Sequence, residues 1–88
     1  MKIKTGFILR SVGGNRMVVA TGARSKEFGG MIRLNESGSV LWNTLAKGAS
    51  GEELVAALLG EYDVDQATAE ADVSAFLETL REAGVLDE

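Results

Sequence analysis

The chain has 88 residues, 45% hydrophobic and 25% charged, with a net charge of −4 and neither cysteine nor histidine. That is the length of a single domain, residues 1–88, with a thin core. The composition excludes disulfides, thiolate nucleophiles, the usual zinc sites and imidazole acid–base catalysis.

No apolar run approaches the ~20 residues that a membrane span needs. Lys2 and Lys4 are followed by no apolar stretch of the signal-peptide kind. The expectation is a cytoplasmic domain with no membrane contact. Charge is unevenly spread: residues 1–34 sum to +6 and residues 35–88 to −10. Such asymmetry means either a charged partner or two halves that neutralise each other in the fold.

The first half reads as strands. Residues 7–12, Phe-Ile-Leu-Arg-Ser-Val, are apolar and rich in strand formers. Gly13, Gly14 and Asn15 supply a tight turn, and residues 16–21 return as the second strand of a hairpin. Residues 22–30 form a polar loop anchored by Phe28. Met31, Ile32, Arg33 and Leu34 make a short third strand, with Ile32 and Leu34 inward and Arg33 outward.

The period then changes. Asn35 caps a helix carrying Val40, Leu41 and Leu45 on one face, and Gly48 stops it. Ser50 and Glu53 form a capping box before a helix with Leu54, Val55, Leu58, Leu59 and Tyr62 on one stripe. Asp65 caps the last helix, Gln66–Ala83, in which Ala69, Val73, Phe76, Leu77 and Leu80 recur at helical spacing. Gly84 ends it, and Val85 and Leu86 fold back on the core. Three strands followed by three helices predict an α+β fold, the helices packed on one face of a three-stranded antiparallel sheet. A short edge at residues 31–34 leaves backbone groups unpaired.

No enzyme constellation is present. The glycine pairs lack the context of a phosphate-binding loop. The carboxylate pairs fall on solvated helix faces, and Asp63 and Asp65 lack the glycine and terminal glutamate of a calcium loop. No catalytic residue, cofactor or metal is expected. Binding remains. A winged helix–turn–helix transcriptional regulator needs a basic recognition helix, but the last helix sets Glu70, Asp72, Glu78 and Glu82 against Arg81, which disfavours nucleic acid. Strand addition of an extended peptide to the open edge is the better reading.

The run Phe28-Gly-Gly-Met-Ile-Arg-Leu-Asn-Glu-Ser-Gly-Ser-Val-Leu-Trp42 resembles the signature of the PqqD family, most specifically in Leu34-Asn35-Glu36-Ser37-Gly38. Glu61-Tyr62-Asp63-Val64-Asp65, Ala71-Asp72-Val73 and the stretch from Phe76 to Leu86 add to it, so that the likeness covers nearly the whole chain. The resemblance implies a winged helix–turn–helix-like fold and a non-catalytic chaperone of ribosomally made precursor peptides. Such proteins bind the leader segment as an added strand and present the precursor to a modifying enzyme, often a radical S-adenosylmethionine (radical SAM) enzyme.

Carried onto this sequence, the resemblance implies that Met31, Ile32, Arg33 and Leu34 pair with the leader, with Arg33 turned toward an acidic leader side chain. It implies a groove wall of Asp72, Phe76, Thr79 and Leu80. Read by themselves, Ile32, Leu34, Phe76 and Leu80 are core positions first, and Asn35 is a helix cap first. Trp42 serves either the core or an exposed contact with the enzyme. A monomer or weak homodimer is expected, because an open edge can also pair with a second copy. A third reading is a structural subunit docked constitutively on a larger enzyme.

Overall fold

The elements follow the expected order, with a short strand added at each end. The computed structural model describes residues 1–22 and 32–87. It contains β1 (Lys2–Ile3), β2 (Phe7–Val12), β3 (Asn15–Ala20), β4 (Ile32–Leu34), α1 (Glu36–Ala46), α2 (Gly51–Glu61), α3 (Gln66–Ala83) and β5 (Leu86–Asp87). The loop anchor Phe28 and Met31 at the head of the third strand lie outside the described residues.

β2, β3 and β4 form an antiparallel sheet in that order, and β1 pairs with β5. The hairpin turn is Gly13-Gly14 alone, at φ 56° and 83°. Both glycines occupy the left-handed region, which is what a two-residue turn matched to strand twist requires. Asn15 is therefore the first residue of β3, paired with Val12, rather than part of the turn.

One face of the sheet feeds the core. Val18 and Leu34 are buried there, and Phe7, Leu9 and Ile32 pack half-buried against them. Leu41 and Leu45 of α1, Leu54 and Leu58 of α2, and Leu80 of α3 complete it, each at most 1% exposed. Burial at that level stabilises by about 1.5–3 kcal/mol per large aliphatic side chain. Trp42 is buried, so it serves the core and not an outside contact. Leu59 is the exception on its stripe, because one step past Leu58 rotates it ~100° off the buried line, and it is exposed.

The helix ends follow from local chemistry. Ser50 accepts from Glu53 N at 3.2 Å while the Glu53 carboxylate accepts from Ser50 N at 3.0 Å. At the far end of α3, Gly84 turns left-handed at φ 73°. Gly84 N then donates to Arg81 O and Val85 N to Leu80 O, a Schellman closure with Val85 and Leu80 both fully buried. The fold-back of Val85 and Leu86 is more than an apolar contact. Leu86 pairs with Ile3, and Asp87 with Lys2, as strands.

Candidate functional site

The hairpin fixes which backbone groups β4 leaves open. Thr21 N donates to Gly6 O at 2.7 Å, so residues 6 and 21 form a hydrogen-bonded pair. Such pairs alternate along an antiparallel ladder. On the observed register, Ile8/Val19, Arg10/Met17 and Val12/Asn15 are then the hydrogen-bonded pairs between β2 and β3. Arg16 and Val18 consequently turn their backbone groups toward β4, where they meet Leu34 and Ile32. Ile32 and Leu34 use their amides on β3, and the N–H and C=O of Arg33 point off the other edge of β4, where no strand among the described residues pairs with it.

The corner after β4 is built by the sequence Asn35-Glu36-Ser37-Gly38. The Asn35 side chain accepts from Gly38 N at 2.8 Å and from the Ser37 hydroxyl at 3.1 Å, which caps α1. Glu36 sits in the first turn, where the positive end of the helix favours it. Gly38 is there for space: a Cβ would lie 3.0 Å from Asn35 Oδ1 and 3.3 Å from Leu34 Cβ.

The third wall comes from α3. Asp72, Ala75 and Thr79 lie exposed on one line, with Phe76 beneath them. Together with β4 and the start of α1 they enclose an open groove of about 490 Å³. Of the residues expected at the site, Arg33, Leu34, Asp72, Phe76 and Thr79 line it. Ile32 lies half-buried beside Val18, outside the lining. Leu80 has no exposed surface, because it continues the buried Ala69–Val73–Phe76 stripe one turn on. Sequence reasoning missed Ser37, Gly38, Leu41 and Ala75, and read Asn35 as a cap first, whereas it also lines the groove. The Leu34-Asn35-Glu36-Ser37-Gly38 run was the signal for the first two. The floor is apolar (Leu34, Leu41, Phe76), with Arg33 on one wall and Asp72 on the other.

A second hollow of about 310 Å³ adjoins the groove and shares Asn35, Ser37 and Asp72 with it. Glu36, Leu58, Tyr62 and Val64 line the rest. Burial pushes the Tyr62 phenol above its ordinary pKa, Glu36 and Glu61 push it the same way, and Arg16 opposes them more weakly. Nearby, Asp65 is held below the usual carboxylate range because its side chain accepts hydrogen bonds from Thr68. No group of three or more metal-ligating side chains occurs among the described residues.

The family described as Coenzyme PQQ synthesis protein D (PqqD) matches residues 7–86. The chain belongs to the PqqD family. The match takes in the hairpin, β4, all three helices and the groove between them. No curated protein matches the chain. Among solved structures, this PqqD-family chain is similar to TbiB1 in complex with the TbiA(beta) leader peptide. Identity is 29%, over 99% of this chain and 95% of that one, with a TM-score of 0.79. It also shares its fold with lasso peptide synthetase B1 complexed with the leader peptide. There identity is 20%, over 96% and 93% of the two chains, with a TM-score of 0.75.

Proposed function

We infer that the chain is a leader-peptide recognition element of a ribosomal peptide-modification pathway. It holds the leader of a precursor peptide as an added strand on β4 and offers the rest to a modifying enzyme, which we take to be of the radical SAM type. The observation that carries this is the open edge at Arg33, set beside an apolar groove with a helical far wall. Backbone pairing at Arg33 contributes about 0.5–1.5 kcal/mol per hydrogen bond, and the apolar floor supplies the discrimination between side chains. The TbiB1 structure, with its leader peptide, supports the reading.

The chain itself acts by binding and positioning, with no catalytic group, and works in the cytoplasm beside its enzyme. Leu34, Phe76, Thr79 and Asp72 contact the leader, and Arg33 pairs with it through the backbone. Ile32 and Leu80 support these residues from the core. Nucleic acid is disfavoured, since α3 exposes Glu70, Asp72, Glu78 and Glu82, which would repel phosphate.

The test is an amide-resolved NMR titration with the synthetic leader of a candidate precursor peptide. Shifts are expected at Ile32, Arg33 and Leu34 and along residues 72–79. Binding that leaves those amides still while others move would sink the groove assignment.

A further inference from the structure

We propose that the second hollow, beyond the end of β4, takes a lysine or arginine side chain of the bound leader, two residues from the apolar side chain seated over Phe76. The inference rests on the leader-binding reading above. It adds a charge requirement to that site and a polarity along it.

Geometry comes first. Groove and hollow share Asn35, Ser37 and Asp72, so they form one continuous depression. On α3, Asp72 precedes Phe76 by four residues, a rise of about 6 Å. An extended strand places side chains of one face about 6.7 Å apart, every second residue. A peptide whose apolar residue sits over Leu34, Leu41 and Phe76 therefore brings its next same-face side chain level with Asp72. That is where the hollow opens.

The lining then selects the side chain. Leu58, Val64 and the Tyr62 ring give apolar walls, while Glu36 and Asp72 bring carboxylates, and among the described residues no lysine or arginine lines the hollow. Lysine and arginine suit such a site, with an apolar stem against the walls and a charged tip at the carboxylates. The Tyr62 ring adds a cation–π surface.

Helix ends contribute as well. Leu58 and Tyr62 belong to the C-terminal end of α2, whose last turn has no basic residue. That negative end favours a cation. The positive end of α1 also opens here, but Asn35 occupies its Gly38 N–H and Glu36 stands in its first turn. Burial is the main reason the Tyr62 phenol is raised, and among the charges that act on it Glu36 and Glu61 each outweigh Arg16.

The test uses the full chain, immobilised, and a displayed library of random peptides selected at physiological salt. Enriched binders are expected to carry an apolar residue and a Lys or Arg two positions apart, in preference to Asp or Glu at that position. For a binder so obtained, Asp72→Asn or Glu36→Gln weakens binding about three- to fivefold, and Asp72→Lys inverts the preference toward acidic residues. Glu70→Gln removes the same charge from the crevice between α2 and α3 and leaves the preference intact.

Binders that shift the Ile32, Arg33 and Leu34 amides but show no charge preference overturn the hollow's assignment and leave the strand reading standing. A preference that Glu70→Gln abolishes equally does the same, since it would report net charge alone. A library yielding nothing that shifts those amides overturns the strand reading, and this inference with it.

Discussion

β2 and β4 are both edge strands of one sheet among the described residues, yet of the two only β4 borders the groove. β2 is twice as long, six residues against three, and exposes Val12 and Ile8 on its outer face. The groove is lined by β4, α1 and α3 and by nothing from β2. An open row of amides is thus only half of a peptide site. The other half is a wall that gives side chains somewhere to go, and α3 supplies it beside β4 alone.

The largest effect should come from closing one edge and leaving the other. Arg33→Pro removes the N–H that points off the β4 edge while keeping the bonds to β3, a placement in which edge strands tolerate proline. Leader affinity is expected to fall about tenfold or more, equivalent to one to two hydrogen bonds, with the circular dichroism spectrum unchanged. Ser11→Pro does the same to the β2 edge and should leave affinity as it was. Equal losses from the two variants would mean that the edge at β4 has no special standing.

Next in size is the corner that joins β4 to its wall. Gly38→Ala forces a methyl against Asn35 Oδ1 and Leu34 Cβ. It is expected to cost about 1–3 kcal/mol in denaturant unfolding, as overpacking does. Asn35→Ala removes the α1 cap at a cost of about 1 kcal/mol, seen in the same melts. The Ser37 hydroxyl, which donates to Asn35, loses its partner at the groove mouth.

The smallest effect lies on the wall itself. Asp65, the α3 cap, has a folded pKa below its ordinary 3.8. Its contribution is therefore complete above the unfolded value and lost as pH falls through the folded one. Thermal melts of wild type and Asp65→Asn should differ near neutrality and converge in strong acid. A constant gap across that range would contradict the cap's part in acid stability.

Much of this was legible in the sequence, for reasons that differ by element. Asn35, Ser50, Asp65 and Gly84 announce helix ends because caps act over three or four residues of one chain. The apolar stripe of α3 announced its buried face the same way. What was not legible depends on residues far apart. Nothing local says that Lys2–Ile3 pairs with Leu86–Asp87, or that Ala75 joins Asp72 and Thr79 in lining the groove. The stripe gave Asp72 and Phe76 neighbouring faces, but only the crossing of α3 beside β4 decides which of them meets a ligand. Arg33 was placed outward by alternation. That its backbone is the open one follows from the phase of the hairpin, which a two-residue turn sets and a three-residue turn would have shifted.

The clasp of β1 with β5 bears on the order in which the molecule assembles. The hairpin closes over two glycines and each helix pair over a few residues, whereas the clasp joins Lys2 to Asp87 across almost the entire chain. Closing the longest loop carries the largest entropic cost, growing by about 0.6 kcal/mol per doubling of length. The clasp is therefore expected to zip last and fray first, exposing its amides to hydrogen exchange ahead of the rest. Because α3 runs through Gly84 and Val85 straight into β5, fraying there would slacken the far end of the groove wall while the hairpin stays folded. A domain that must grip a peptide and then release it has in that seam a place to loosen without coming apart.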